Sequence, residues 1–517
     1  MSEAQVHGLS GPEVERVLVP GRNCCAIAQA HNAALLVDGA DYFAALEKAL
    51  RGARRTVFVV AWDFDSRVQL RPQDGKETPA LGAFLRNLVE ERPELEIRIL
   101  VWSFAAVHAP GAALPLLIGE EWQMHPRIRL CLDTHHPIHA AHHQKIVTID
   151  DSIAFVGGMD LTVGRWDTPE HKADQPLRSA SDGAPYPPMH DLQMAVDGPA
   201  ARVIARVARE RWRDATGEDV PLGASSRRWP AGLTAHFKEV PVGIARTAPR
   251  LNGSMVVEEI AALTDDMLRS AKDTVYIEAQ YFAARRLRPI LRELLSKPDG
   301  PEIVVIGPLN ANGVIERFIM GANRDRLFRS LKDADRYGRL RLYYPVVPGS
   351  GGSDCPVMVH AKLMIVDDRI LRVGSANLNN RSVGLDTECD LVIEAEEPGM
   401  RETIKSLRDK LLAEHLGIDP ALVRAAIKRE GSLIRALERL NRKEGRCLRP
   451  KAVGRGSVRS FPGTRFMDPE RPFRLVEWAR WRWRMVAGYE AASPESRDSS
   501  ISEAPSKILP IRSGNRK

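Results

Sequence analysis

The 517-residue sequence predicts an α/β protein made of two duplicated α/β halves, related by a pseudo-two-fold axis and followed by a helical C-terminal extension. Three observations predict it. Stretches of helical period alternate with strand-like apolar runs, the pattern of a layered α/β fold. The order of these stretches in the first half returns in the second. An eight-residue motif also recurs in register, as His143-Gln144-Lys145-Ile146-Val147-Thr148-Ile149-Asp150 and His360-Ala361-Lys362-Leu363-Met364-Ile365-Val366-Asp367. Both copies read His-x-Lys-x4-Asp, and 360 − 143, 362 − 145 and 367 − 150 all equal 217. A repeat of that length is a duplicated domain rather than a solenoid.

Taken in order, residues 1–30 are weakly patterned and are expected to form an N-terminal strap. The first half occupies 31–220. It opens with a helix over 40–53 that places Tyr42, Phe43, Leu46 and Leu50 on one face. A buried strand at 56–62, a helix at 80–91, a strand at 97–102 and an alternating strand at 127–132 lead to the first motif. Residues 221–250 are expected to be a linker. The second half, 251–397, replays the order: a helix at 252–271, then strands at 274–282, 303–306 and 339–343 before the second motif. A strand and glycine turn follow each motif, at 155–161 and 372–378. The Gly- and Pro-rich loops 182–188 and 347–354 either shape substrate entry or simply connect elements. Residues 398–489 read as a basic helical region, with helices at 400–416 and 421–446. Its Trp478-Ala479-Arg480-Trp481-Arg482-Trp483-Arg484-Met485 run suits either a lipid headgroup interface or a helix docked on the body. The Ser-, Glu-, Pro- and Arg-rich residues 490–517 are expected to be a disordered tail.

Composition narrows the class. Hydrophobic residues at 44% and charged residues at 27% are those of a globular protein. The formal net charge of +7 favours an anionic partner, without choosing among lipid headgroups, nucleic acid and a phosphorylated substrate. Six cysteines without CxxC spacing read as reduced thiols. With no secretory leader and no apolar run of about 18 residues, the expected location is the cytoplasm, with peripheral contact at the membrane.

The motif carries the chemistry. His143 and Lys145 are two residues apart, so on a strand they share a face, and the same holds for His360 and Lys362. An imidazole beside an ammonium makes a phosphate site: the lysine supplies fixed charge, and the histidine attacks or moves a proton near neutral pH. Asp150 and Asp367 complete the motif and are counted with the catalytic set. Their odd spacing from the lysines nonetheless turns them to the opposite face, as structural partners. His135, His136, His139, His142 and His143 form a dense cluster, but no Cys or HExxH spacing accompanies it and no metal site is assigned.

The duplicated motif, with the Gly157-Gly158 and Gly374-Ser375 turns after it, resembles the phospholipase D superfamily. The stretches Gly157 to His171, Met189-His190-Asp191-Leu192, Tyr276 to Phe282, Gly374 to Ser382 and Asp386-Thr387-Glu388 resemble its phosphatidylcholine-hydrolysing branch, over about residues 32–415. Met189 stands where members often carry Trp, and Ala279 where the plant enzymes commonly carry Asn. The resemblance implies two phospholipase D-like halves and a phosphodiesterase/transphosphatidylase acting on glycerophospholipids. Its products are phosphatidic acid and a free headgroup, formed through a covalent phosphohistidine. By the same resemblance His143 is the nucleophile and His360 the general acid. Lys145, Lys362 and Asn377 hold the phosphate oxygens with support from Ser375, while Glu388 orients His143 and Asp191 orients His360. It requires no cofactor, allowing calcium only a non-catalytic part, and it implies a monomer with a phospholipid substrate, an anionic membrane surface as partner and no nucleic acid. A cardiolipin synthase-like phosphatidyltransferase is the alternative, followed by a superfamily nuclease and an inactive lipid-binding scaffold.

Overall fold

A computed structural model describes residues 16–74, 78–103, 120–137, 140–224, 226–251, 255–310, 314–453 and 468–469, with the side chains of 314–320 left aside. The Trp478–Met485 segment and the 490–517 tail therefore lie outside the described residues. The first half contains strands β1 (Ala26–Val37), β2 (Thr56–Ala61), β3 (Glu96–Trp102), β4 (Ile128–Asp133), β5 (Ile146–Ile149), β6 (Ile153–Gly157), β7 (Met189–His190) and β8 (Leu192–Asp197). Its helices are α1 (Asp38–Arg51), α2 (Leu81–Glu91) and α3 (Gly198–Thr216). The second half contains β9 (Phe237–Ala248), β10 (Val257–Glu258), β11 (Thr274–Ala279), β12 (Glu302–Ile306), β13 (Leu340–Pro348), β14 (Asp354–Pro356), β15 (Met358–Val359), β16 (Lys362–Val366), β17 (Ile370–Gly374) and β18 (Glu388–Glu394). Helices α4 (Glu259–Arg269), α5 (Leu287–Ser296), α6 (Val314–Lys332) and α7 (Arg381–Gly384) accompany them. Helices α8 (Pro398–Leu416), α9 (Pro420–Glu430) and α10 (Leu433–Leu440) and strand β19 (Cys447–Pro450) follow.

Ladder by ladder, the first half runs β4-β3-β2-β5-β6-β8-β1. The second runs β13-β12-β11-β16-β17-β18-β9, the same order. Strands β1 and β9 pair antiparallel from Ala26↔Ile244 to Ala33↔Phe237 and join the two runs. The central parallel strands are largely apolar and buried, β2 and β3 in the first half and β11 and β12 in the second, as both faces of such a sheet are covered. One cluster packs α1 and α2 on the first half's sheet, a second packs α4, α5 and α6 on the other, and a third core spans both halves beneath α3, α8 and α10.

The stretch 221–250, expected as a linker, therefore contains β9, the opening strand of the second half. Pro241 and Gly243 interrupt its alternation and disguise it in the sequence. Likewise β1 begins inside the expected strap. The helix expected over 421–446 breaks in two at Gly431-Ser432. Gly431 takes φ +58 as the C-cap just past α9, and the Ser432 hydroxyl caps α10 by accepting from Arg435 N. The loop expected at 347–354 is shorter, because β13 runs to Pro348 and β14 folds back on it. Among the described residues no helix is long and apolar enough to cross a membrane.

Asp150 and Asp367 do not face the site, which removes them from the catalytic set. Each sits in a two-residue turn with its neighbour: Asp150 and Asp151 take φ +50 and +52, Asp367 and Asp368 take +53 and +50. Positive φ at both central residues gives the tight hairpin that joins β5 to β6 and β16 to β17. The Asp150 carboxylate accepts from the backbone N–H of Arg54, Arg55 and Thr56 at 2.7–3.0 Å, fixing the entry to β2. Asp367 accepts from Lys272, Asp273 and Thr274 at 2.8 Å, fixing the entry to β11. We expect Asp150→Ala to leave three amides short of an acceptor and to cost about 2–4 kcal/mol of stability. Urea unfolding measures the loss. Activity per folded molecule should stay within a few-fold of wild type, and a loss of several orders would return Asp150 to the reacting groups.

Candidate active site

The two motifs meet because each is tied to the opposite half. His142 bridges Thr387 in parallel, with His143 N donating to Thr387 O at 3.0 Å. In the other copy β15 pairs in parallel with β7, Val359 against His190, and His360 N donates to His190 O at 2.8 Å. Each histidine thus lies beside the segment that carries the other half's carboxylate. His143 and Lys145 stand just ahead of β5 rather than within it, whereas Lys362 opens β16.

The carboxylates cross accordingly. His143 Nδ1 lies 3.0 Å from Glu388 Oε2 and 3.1 Å from Oε1. His360 Nδ1 lies 2.6 Å from Asp191 Oδ2. With Nδ1 engaged, each ring leaves Nε2 for a substrate. Both carboxylates are buried. Glu388 is also held by the hydroxyls of Ser375, at 2.6 Å, and Ser382, at 2.7 Å. Ser375, expected to support a phosphate oxygen, therefore spends its hydroxyl on Glu388 and accepts from Cys389 N at 3.0 Å. Asn377, also expected to hold a phosphate oxygen, has its Oδ1 buried without a hydrogen-bond partner, while the group that donates to such an oxygen is its Nδ2.

The lysines are anchored at their ammonium groups. Lys145 Nζ donates to His143 O at 3.0 Å and lies 3.3 Å from Asp160 Oδ2. Lys362 Nζ donates to Gln280 Oε1 at 3.0 Å and also to His360 O. Asp160 is the counterpart of Asn377 (377 − 160 = 217), so the repeat carries an anion in one copy and a neutral amide in the other. Sequence reasoning missed Asp160, Gln280 and Ser382 as supports. The 217-residue offset applied to Asn377 would have found Asp160; Gln280 and Ser382 give no comparable signal. Gly158 is required by contact alone, because a Cβ there would overlap the Asp191 carboxylate.

Burial shapes the electrostatics. It drives the His143 imidazolium well below its ordinary value, and the charges of Lys145 and Lys362 add to that. His360 is pushed down by burial and by Lys362, against Asp191. Burial lowers Lys362 to about 7, with Asp191 opposing and Lys145 reinforcing. Glu388 rises to about 7 through burial, against its two serine hydroxyls and the lysines. Burial would also raise Asp191, but His360 and Lys362 outweigh it and hold the carboxyl at about 2. Two poorly solvated cations near neutral imidazoles make a receptor for an anion.

The dense histidine run 135–143 does not converge on one centre. His142 Nδ1 lies 2.7 Å from Asp133 Oδ2, His136 Nε2 lies 3.2 Å from Ser103 Oγ, and His143 turns to Glu388. His139 is outside the described residues.

Comparison with known proteins adds family models on both motif-bearing segments. One described as "Phospholipase D" matches residues 130–236, and one described as "Cardiolipin synthase, PLD-like domain" matches 265–411. The chain is 24% identical to "Phospholipase D1" of Saccharomyces cerevisiae over 75% of its own length and 29% of the relative's. It is 25% identical to "Phospholipase D A" of Dictyostelium discoideum, covering 75% and 36%, and 26% identical to "Phospholipase D alpha 1" of Carica papaya, covering 54% and 49%. It thus spans between 29% and 49% of the length of these relatives. Among solved structures, the phosphatidylserine synthase of Haemophilus influenzae Rd KW20 superposes with a TM-score of 0.50 at 14% identity, over 79% of this chain and 96% of that one, a likeness of fold. With a matching model on each half and the His-x-Lys-x4-Asp motif intact in both, the chain belongs to the phospholipase D superfamily.

Proposed function

We propose that the protein is a phospholipase D-type phosphodiesterase that splits glycerophospholipids into phosphatidic acid and a free headgroup through a phosphohistidine. The crossed pairs, His143 with Glu388 and His360 with Asp191, carry the reading, since they give one site two imidazoles oriented independently. In the first step the Nε2 lone pair of neutral His143 forms a bond to phosphorus. The phosphorus–oxygen bond to the headgroup breaks, and His360 Nε2–H gives its proton to the leaving alkoxide. Neutral His360 then takes a proton from water, whose oxygen attacks phosphorus as the P–N bond breaks. Lys145, Lys362 and the Asn377 amide hold the non-bridging oxygens, where charge builds. Asp191, ionised throughout the neutral range, opposes the burial and the Lys362 charge that push the His360 imidazolium down, and so favours the protonated ring that the acid role needs. Burial and the two lysine charges keep His143 neutral and suit it to attack. No step is routed through a metal. Peripheral contact with an anionic lipid surface fits the net charge of +7 and a lipid substrate.

The description of the model matched by the second half favours one further reading, a cardiolipin synthase-like phosphatidyltransferase. The chemistry is shared, and the acceptor decides. We expect phosphatidylcholine or phosphatidylethanolamine vesicles with added ethanol to yield phosphatidylethanol beside phosphatidic acid, since His360 activates whichever hydroxyl occupies the leaving-group position. Separation of the lipids reads the result. Hydrolysis without exchange at any alcohol concentration counts against the phosphohistidine. Preferential conversion of phosphatidylglycerol to cardiolipin moves the assignment to the transferase, and cleavage of DNA without action on lipid overturns the substrate class.

The pH profile follows from Glu388. Its ionised form accepts the Nδ1–H of His143 in a charge-assisted bond, and its raised value means that this form is lost as pH falls through about 7. We expect kcat/KM to fall on the acid side with a midpoint near 7, about tenfold per pH unit below it. Full activity at pH 5 on a soluble short-chain phospholipid would reject this role.

A further inference from the structure

Behind the active site lies a second cluster that the proposed reaction does not use. Asp38, His171, His190 and Glu414 place one ligating atom each within 4.8 Å of one another, and all four side chains are buried. They come from four segments: the β1–α1 junction, the loop after β6, strand β7 and helix α8. His190 Nδ1 is 2.9 Å from Asp38 Oδ1 and 3.0 Å from Glu414 Oε1, while His171 Nε2 is 3.2 Å from Glu414 Oε1 and 3.5 Å from Asp38 Oδ2. Both Asp38 oxygens and His190 Nδ1 are fully buried, yet none of the three makes a hydrogen bond. Near in distance but off the hydrogen-bond line, these atoms are turned toward a shared space rather than toward each other.

The outer faces of the two imidazoles are fixed as metal-bound histidines require. His171 Nδ1 meets Asp167 Oδ2 at 3.0 Å, and His190 Nε2 meets Glu278 Oε2 at 2.8 Å. A carboxylate on the far nitrogen holds that N–H, so that the near nitrogen can offer its lone pair inward; that of His190 makes no hydrogen bond, and that of His171 is aligned on Glu414 Oε1 at 3.2 Å. Those carboxylates are themselves held, Asp167 by Arg178 at 3.0 Å and by Met189 N at 2.8 Å, Glu278 by His415 at 2.8 Å and by the Tyr276 hydroxyl. The four imidazole–carboxylate separations, 2.9–3.5 Å and reaching both Asp38 oxygens, bracket the edge of a tetrahedron with bonds of about 2.0–2.1 Å, roughly 3.3 Å, and the remaining pairs lie within 4.8 Å. Two imidazoles with two carboxylates favour a borderline cation over calcium or magnesium, and the two carboxylate charges neutralise a dication in a site away from water.

We propose that Asp38, His171, His190 and Glu414 bind one structural zinc ion. It lies outside the reaction and clamps α8 and the β1–α1 junction to β7. Asp191, the next residue after His190, is positioned against His360 by that clamp. The proposal does not depend on the substrate assigned above, because its readouts are metal content and stability.

The test uses the full chain, expressed in zinc-supplemented medium and purified without a metal-affinity step. Elemental analysis should find about one zinc per chain. X-ray absorption at the zinc edge should show only nitrogen and oxygen neighbours, at about 2.0–2.1 Å and including two imidazoles. Refolding in zinc should give a higher unfolding midpoint than refolding in chelator. His171→Ala should lower the zinc content at least tenfold, and His171→Cys, which restores a ligand, should recover it. If His171→Ala fails to fold, the wild-type content and absorption spectrum decide alone. Less than about 0.1 zinc per chain with no change in midpoint would overturn the proposal, leaving two imidazolium ions paired with carboxylates. Full zinc retention in His171→Ala, or sulfur ligands in the wild-type spectrum, would also overturn it.

Discussion

His143→Ala is expected to lower phospholipid turnover by about 10⁵–10⁶-fold, the scale on which loss of a covalent nucleophile acts. The loss should lie in kcat, since Lys145, Lys362 and Asn377 still hold the phosphate. The variant should fold normally, because the His143 ring is the less buried of the pair, at 16% side-chain exposure against 8% for His360. The sharper readout is the trapped intermediate. Quenching a single turnover in alkali, under which a phosphoramidate survives, should leave a phosphatidyl or phosphoryl group on His143 in wild type and none in His143→Ala. His360→Ala should also be slow, yet should still form the adduct with a substrate whose leaving group needs no proton, such as a p-nitrophenyl ester. An adduct mapped to His360 in wild type would exchange the two roles.

Asp191→Asn should cost about 10³–10⁴-fold in kcat while leaving the chain folded. The carboxylate at 2.6 Å from His360 Nδ1 fixes the tautomer and supports the imidazolium that delivers the proton. An amide keeps the volume but offers no charge, and its NH2 can force the opposite tautomer. The defect should therefore shrink as the leaving alcohol becomes more acidic and nearly vanish for a p-nitrophenyl ester, where protonation is not needed. A uniform loss across leaving groups would instead indicate a collapsed site. Gly158→Ala, by crowding the same carboxylate, should follow the same leaving-group trend with a smaller amplitude.

Much of this arrangement could be read from residues alone, because a repeat in register is insensitive to local ambiguity. The offset of 217 located both histidines, both lysines and the matching order of elements along the chain. What escaped was of three kinds. Local patterning failed where proline and glycine interrupt a buried strand, as at Pro241 and Gly243 in β9, so an opening strand read as a linker. Contacts between distant positions carry no one-dimensional signature of their own. Gln280, 82 positions from Lys362, escaped for that reason, whereas the pairing of Glu388 with His143 across 245 positions was legible only through the family resemblance. Asp150 and Asp367 show a third case. Their spacing turned them away from the phosphate side, but only the turn geometry showed that they cap β2 and β11.

The crossed carboxylates bear on how this duplicated chain can change. In most tandem repeats the second copy is a spare, and one copy can drift while its twin preserves the task. Here Glu388 holds the first copy's histidine and Asp191 the second's, so a lesion in either copy is expected to disturb the histidine of the other. Duplication has produced interdependence in place of redundancy. Drift in one half is exposed to selection through the other, and neither half can be lost, exchanged for an unrelated module or retuned alone without the whole site registering the change.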